Sequence, residues 1–287
     1  MPPCGIVEWN TVGKRIELQM KKVLVIGKNS FLASNFIARN ADTVQITGVS
    51  HGDDLNAVGL DDFSCVVNMA YDPAYFRAPY SAANDFDLRV AKTLEGRRPH
   101  FMMMSTRKVY GDVPPFPADE SAPLTATDYY GVNKATTEAE IQRILGANCT
   151  ILRIANVFGA ETGRHTFFGI ALASLKKDKR IVLDVSPFTL RDFLPVESFS
   201  DMLGDVIQAC PAGVFNMGSG KAIPIGQIAL WVIEGFGSGE LVVNATAERD
   251  SFLLNCEKLN RTIGYGEKYG VDVRASCIEI GRRLRDA

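Results

Sequence analysis

No stretch of this 287-residue chain approaches the roughly 20 consecutive apolar residues that span a bilayer, so no transmembrane helix is expected. Neither sign of charge dominates, since 31 Lys and Arg stand against 33 Asp and Glu. The balance leaves no extended positive field, which argues against nucleic acid or an anionic membrane as a partner. A small anion held by a few local cations stays within reach. Cysteines are few and scattered: Cys4, Cys65, Cys149, Cys210, Cys256 and Cys277 include no CxxC pair. That spacing fits reduced, buried thiols in a cytosolic protein, and no metal site is expected. The first nineteen residues, MPPCGIVEWNTVGKRIELQ, lack a basic n-region and an apolar h-region, so they do not read as a secretory signal. They are set aside as an extension, 1–19, with Met20 a candidate start. Internal repeats, low-complexity tracts and linkers are also missing.

What is present is enough apolar sequence, 46% of residues, to bury one large core or two unequal ones. From Lys21 the pattern is regular. VLVIG (Val23 to Gly27) is a continuous apolar run ended by glycine, as expected of a strand buried on both faces. FLASNFIARN follows as a helix, then TVQITGVS, CVVNMA and HFMMMST as strands, with DFDLRVAKTLEG helical between the last two. YYGVNKATTEAEIQRIL reads as a helix and CTILRIANVFG as one further buried strand. Strands alternating with helices imply a parallel sheet built through right-handed crossovers. Past Gly159 the alternation loosens, and a smaller, less regular unit is expected.

The turn after the first strand reads GKNSFLA, with the spacing of a GxxGxxG phosphate turn but only its first glycine, Gly27. Ser30 takes the place where backbone approaches phosphate, and Ala33 the place where helix packs on strand. A strand-to-helix turn of this kind aims backbone N–H groups and the positive end of a helix dipole at an anion. The second strand ends in Ser50 and His51 rather than in the carboxylate that holds an adenosine ribose, and Asp53 and Asp54 come slightly later. Lys28 and His51 are placed to neutralise a ribose 2′-phosphate, which favours NADP over NAD, although NAD stays open.

In TDYYGVNK, Tyr130 and Lys134 are four residues apart and share a helix face, whereas Tyr129 faces Asn133. A neighbouring ammonium favours the phenolate of a tyrosine whose ordinary pKa is near 10. The alternative is an exposed helix face on which Lys134 pairs with Glu138. Together GxxSxxA, STRKVYG, DESAPLTATDYYGVNK, ILRIANVFG, RDFLPVESF and GVFNMGSG, in this order from about Lys21 to Gly264, resemble the extended short-chain dehydrogenase/reductase family of nucleotide-sugar epimerases, dehydratases and reductases.

The resemblance implies a doubly wound, Rossmann-type α/β domain over 20–165 and 193–220, with a smaller C-terminal substrate-binding domain from 166–192 and 221–287. It assigns Thr106, with Ser105 as the neighbouring alternative, to orient the reacting oxygen, Tyr130 to exchange the proton, and Lys134 to hold the nicotinamide ribose. It places the cofactor against Gly27, Asn29, Ser30, Phe31, Leu32, Ser50, His51, Asp54, Leu55, Met69 and Ala70. Asn156, Arg191 and Arg249 are expected at the nucleotide diphosphate. For Arg191, a surface ion pair with Asp192 or Glu197 is the alternative. His165, before a helix lining the substrate cleft, is a candidate general acid.

Dehydratases of this family carry an Asp-Glu pair after the catalytic threonine, where this chain has Arg107 and Lys108, so elimination is disfavoured. Reduction of a 4-keto nucleotide-sugar by an exchangeable NADP(H) is favoured over 4-epimerisation with retained NAD. A catalytically silent dinucleotide sensor or scaffold is the reading from another class. The substrate partner is a nucleotide-sugar, and a homodimer is left open.

Overall fold

The computed structural model describes residues 7–9, 15–17, 20–163, 166–264 and 270–287. In chain order its elements are β1 (Val7–Trp9), β2 (Arg15–Glu17), β3 (Lys22–Ile26), α1 (Phe31–Asn40), β4 (Gln45–Val49), β5 (Cys65–Asn68), α2 (Phe86–Leu94), β6 (His100–Thr106), α3 (Tyr129–Leu145) and β7 (Cys149–Ile154). They continue with β8 (Asn156–Phe158), α4 (Phe167–Asp178), β9 (Arg180–Leu183), β10 (Leu190–Pro195), α5 (Val196–Ala209), β11 (Gly213–Met217), β12 (Ala222–Pro224), α6 (Ile225–Phe236), β13 (Glu240–Val243), α7 (Glu257–Ile263) and α8 (Val273–Asp286).

Six strands form one parallel sheet in the order β11-β7-β6-β5-β3-β4. Val23, Leu24, Val25 and Ile26 of β3 have no solvent exposure, because helices cover both faces of the sheet. Each such side chain stabilises the fold by roughly 1.5–3 kcal/mol relative to an exposed one. One core lies under α1 and α5 and includes Val23, Val25, Phe36 and Phe199. The other lies under α2 and α3 and includes Leu24, Ile26, Val90 and Ile141. The chain leaves β3 for β4 on one side, then crosses back to β5 on the other. Ligands of open α/β sheets bind at the carboxyl ends of strands where the order reverses in this way.

CTILRIANVFG is not one strand. β7 ends at Ile154, the Ala155 N–H donates to the Met217 carbonyl at 2.9 Å, and β8 leaves for a small sheet of order β12-β10-β8. Both halves are apolar, so hydrophobic pattern alone does not reveal the change of sheet. The parallel pair β9 and β13 and the antiparallel pair β1 and β2 complete the strands described. Among the described residues, no helix is long and apolar enough to cross a membrane.

Candidate active site

At the carboxyl end of β3 the chain turns through Gly27 with φ of +83°. A Cβ there would lie 2.9 Å from the Ala70 nitrogen, so glycine is required by both conformation and space. The N–H groups of Gly27 and Lys28 donate to the Val49 carbonyl, and that of Ser30 donates to Gly27, which closes the turn. Ser30 has φ of −69° and needs no glycine, and its hydroxyl accepts the Ala33 N–H as the N-cap of α1. The serine therefore does helix-capping work that a second glycine would not. A cavity of about 180 Å³ opens onto this helix terminus, lined by Gly27, Lys28, Asn29, Ser30, Ser50, His51, Met69, Ala70 and Tyr71. A glycine cradle, a helix N-terminus and a basic side chain suit a dinucleotide pyrophosphate.

Phe31, Leu32, Asp54 and Leu55, also expected at the cofactor, are not in the lining of this cavity. Phe31 sets its ring against Gly159, and Leu32 packs on the core. Asp54 caps the turn Leu55–Val58 by accepting the Asn56 N–H, and Leu55 packs on the second core. Asp53 differs from expectation. Its carboxylate folds back to accept the Ser50 N–H at 2.8 Å, so the end of β4 does carry a carboxylate.

Thr106 ends β6 and Tyr130 lies in the first turn of α3, where the Thr106 hydroxyl acts to lower the pKa of the Tyr130 phenol. The two elements meet closely: Asp128 caps α3 by accepting the Gly131 N–H, and a Cβ on Gly131 would fall 2.6 Å from the Lys108 carbonyl. Ser105 is excluded as the orienting hydroxyl because strand alternation turns it to the other side, where it donates to the buried Glu138. Phe76 stacks on the Tyr130 ring at 4.2 Å, with Tyr71 edge-on to Phe76. Tyr129 is 50% exposed, as its helix position dictates.

Lys134 is buried, and its ammonium donates to Asp87 at 2.7 Å. The alternative of an exposed Lys134 paired with Glu138 is overturned, since Glu138 is buried against Arg153 at 2.7 Å. Lys134 does favour the Tyr130 phenolate, as expected, but it does not set the net direction. Burial pushes the Tyr130 phenol up, Lys134 and the Thr106 hydroxyl oppose this, Asp87 adds to it, and the net direction is upward. The Lys134 ammonium is pushed down by burial, but Asp87 and Tyr130 more than offset that and hold it above its ordinary value. Asp87 escaped sequence reading because it resembles any early-helix acid. The other signal was Asn68, at the end of β5, which donates to Asp87 at 2.6 Å and to the Ala70 carbonyl at 3.1 Å. A continuous set of contacts thus joins Gly27, Ala70, Asn68, Asp87 and Lys134.

A second cluster surrounds Asp250, which has φ of +61°. Arg107 binds it through both guanidinium nitrogens, Lys108 lies at 3.4 Å and Arg191 at 3.7 Å. Arg191 also donates to the carbonyls of Asp250 and Arg249, so the alternative partners Asp192 and Glu197 are replaced by this cluster. Arg249 is exposed, and Asn156 opens β8 opposite Phe193. His165 lies outside the described residues. Among those residues no group of His, Cys, Asp or Glu is arranged to hold a metal.

Residues 21–218 match the NAD dependent epimerase/dehydratase family. A dTDP-glucose 4,6-dehydratase of Streptomyces antibioticus is 25% identical over 175 residues, 58% of this chain and 52% of the relative. The chain thus matches about half the length of that protein. Among solved structures, a UDP-N-acetylglucosamine 4-epimerase from Methanobrevibacter ruminantium M1, in complex with UDP-N-acetylmuramic acid, superposes with a TM-score of 0.77 at 17% identity, over 94% of this chain and 100% of that one. RMD from Pseudomonas aeruginosa, complexed with NADPH, superposes with a TM-score of 0.74 at 19% identity, over 93% and 99%. At these identities the structural likeness is one of fold.

Proposed function

The chain belongs to the NAD dependent epimerase/dehydratase family, and from that premise we propose that it reduces a 4-keto nucleotide-sugar with NADPH as electron source. When bound, the dinucleotide supplies hydride to the carbonyl carbon. The rest falls to side chains of this chain. The Gly27 turn and the N-terminus of α1 take the pyrophosphate, with Lys28 and His51 at the ribose end. Thr106 and Tyr130 donate hydrogen bonds to the carbonyl oxygen, and Tyr130 delivers the proton. Lys134, held by Asp87, restores charge balance as the phenolate forms. Arg191 and Arg249 take the diphosphate of the substrate.

The observation that carries this reading is the placing of Tyr130, its ring stacked on Phe76 at 4.2 Å and one helical turn before Lys134, whose ammonium Asp87 holds at 2.7 Å. Burial holds its phenol above the ordinary pKa, so it keeps the proton that a donor must deliver. Elimination finds less support, because Arg107 is committed to Asp250 where a dehydratase of this family carries an acid. RMD, which has this fold, is complexed with NADPH.

One observation favours a second reading, 4-epimerisation with retained NAD: the Asp53 carboxylate at the end of β4 suits a ribose with a free 2′-hydroxyl. Native mass spectrometry of the purified protein, followed by incubation with 4-keto nucleotide-sugars and NADPH, separates the two. Stoichiometric NADPH oxidation with formation of a reduced sugar supports the reductase. Co-purifying NAD with sugar inversion and no net oxidation supports the epimerase. Dinucleotide binding without turnover of any sugar leaves a sensor and overturns both.

A further inference from the structure

Beside the proposed active site, three cations converge on one carboxylate. Asp250 lies in the segment between β13 and α7, which is stitched in place on two sides. The Phe252 N–H donates to the Leu190 carbonyl at 2.9 Å and the Ser251 hydroxyl accepts the Leu190 N–H at 3.2 Å, so the segment runs against β10 beside Arg191. On its other side the Ala118 N–H donates to Leu253 and the Asn255 N–H to Ala118, both at 2.8 Å. Arg107, immediately after Thr106, is 5% exposed, with its guanidinium 4.1 Å over the Phe252 ring. Its two terminal nitrogens donate to Asp250, one to each carboxylate oxygen. Arg191 meets the same residue differently. Its guanidinium donates to the backbone carbonyls of Asp250 and Arg249 at 3.3 and 3.4 Å, while the Asp250 carboxylate stays 3.7 Å away, beyond hydrogen-bond distance. Lys108, the third cation, is 3.4 Å from Asp250 but is shared with Asp112 at 3.5 Å and Asp128 at 3.6 Å.

We propose that Arg107 is a positioning residue for the substrate's diphosphate: by taking both oxygens of Asp250 it keeps that carboxylate off Arg191, whose charge is then left for a phosphate. The premise is the role proposed above for Arg191. A guanidinium offers two parallel donors that match a carboxylate, so Asp250 can be satisfied in this way by Arg107 or by Arg191. Lys108 is a point charge and does not replace the fork. Without Arg107, the Asp250 carboxylate has only the 3.7 Å to Arg191 to close, and each diphosphate must then displace it. Exposure agrees with this division of labour. Arg191 is 14% and Asp250 20% exposed, so an incoming anion reaches Arg191, whereas Arg107 is closed off against Phe252. An acid at position 107, as in dehydratases of this family, would repel Asp250 and leave it to Arg191. The residue after Thr106 thus serves substrate binding in this chain rather than elimination.

The test is calorimetric titration of the full-length protein with UDP, dTDP and GDP, which carry the diphosphate without the sugar. Arg107→Met should weaken binding of the nucleoside diphosphate that the wild type holds by about tenfold, the loss of one charge-assisted contact. Asp250→Asn, which removes the charge that would capture Arg191, should bind at least as tightly as wild type. The double variant Arg107→Met with Asp250→Asn should return to within about threefold of wild type, a non-additivity that marks the two residues as coupled. Arg107→Lys, which keeps the charge but gives up the fork, should fall between Arg107→Met and wild type. A pair that serves only the fold would weaken binding in both single variants alike, so weaker binding in Asp250→Asn overturns the proposal, as does unchanged binding in Arg107→Met. Arg191→Ala separates this from its premise: if that variant binds as wild type does, or if the wild type binds none of the three nucleotides, the diphosphate role of Arg191 falls and the role of Arg107 with it. Should Arg107→Met fail to fold, Asp250→Asn decides by the sign of its effect.

Discussion

The Lys134 ammonium sits 2.7 Å from Asp87, with both side chains only 6% exposed. This pairing governs how the tyrosine beside it can act. A lone buried ammonium would draw the Tyr130 proton off, whereas a paired one offers a nearly neutral surrounding in which burial keeps the phenol protonated. Asp87 in turn accepts from Asn68, which fixes the Met69–Ala70 backbone at the dinucleotide cavity. The proposed cofactor cradle and the proposed proton donor are therefore mechanically joined through one carboxylate.

Asp87→Asn should lower the pKa of both neighbours, because Asp87 raises each of them. For a reaction that needs the protonated phenol, the alkaline limb of the rate profile then moves to lower pH. Removing one partner of a buried pair also costs about 3–5 kcal/mol at most, less if the amide keeps the hydrogen bond. A pH–kcat profile alongside urea denaturation checks both. An unmoved alkaline limb with lowered stability would reduce Asp87 to a structural role.

Tyr130→Phe should lower kcat by about 10²–10⁴-fold while nucleotide-sugar affinity holds, since it removes proton transfer and leaves Arg191 and Asn156 in place. Tyr129→Phe, on an exposed side chain, should leave kcat and stability within roughly 0.5 kcal/mol of wild type. Single-turnover kinetics with NADPH make the comparison, and a larger loss at Tyr129 contradicts the assignment.

The fold was legible wherever periodicity and punctuation agree. VLVI, CVV and FMMM run apolar without alternation because β3, β5 and β6 are interior strands, and Gly27 marks where the first of them ends. The break at Ala155 was not legible, because a strand that changes sheets between two apolar runs leaves no trace in hydropathy. At the site, helical spacing distinguished Tyr130 from Tyr129, but the partner of Lys134 comes from α2, 47 positions away. Local spacing instead offered Glu138, which tertiary packing gives to Arg153. The carboxylate at the end of β4 was hidden for a related reason: Asp53 reaches Ser50 by a backbone reversal that residue order does not report.

Gly27→Ala should weaken dinucleotide binding by tenfold or more, read by calorimetric titration. The new Cβ lies 2.9 Å from the Ala70 nitrogen and must push apart the turn and the Met69–Ala70 segment that together line the cavity. Its φ of +83° adds strain of order 1–3 kcal/mol. Ser30→Gly is the informative contrast. It removes the α1 cap at a cost of a few tenths of a kcal/mol and should leave binding largely intact, because Ser30 already has an ordinary backbone conformation.

The stability of the protein should carry an inverted pH signature from Asp192. This side chain on β10 has no solvent exposure and accepts the Ser219 N–H, the Ser219 hydroxyl and the Gly220 N–H at 2.8, 2.7 and 3.2 Å. Burial outweighs these donors and pushes its carboxyl up to about 6. In the unfolded chain an aspartate titrates near 3.9. Below about pH 4 both states hold the proton and the favourable contribution is fully present. Between about 4 and 6 the folded state keeps a proton that the unfolded state has lost, so stability falls as pH rises, and the loss is complete above 6. Two units correspond to about 3 kcal/mol, an order-of-magnitude figure. Asp192→Asn cannot ionise, and its altered hydrogen bonding to the Ser219–Gly220 turn adds an offset that does not vary with pH. The difference between wild type and variant, measured by urea denaturation in steps from pH 3.5 to 7.5, should therefore decline through the 4–6 window and be flat on either side of it. A difference that rises with pH would mean that the three donors, not burial, dominate at this carboxylate.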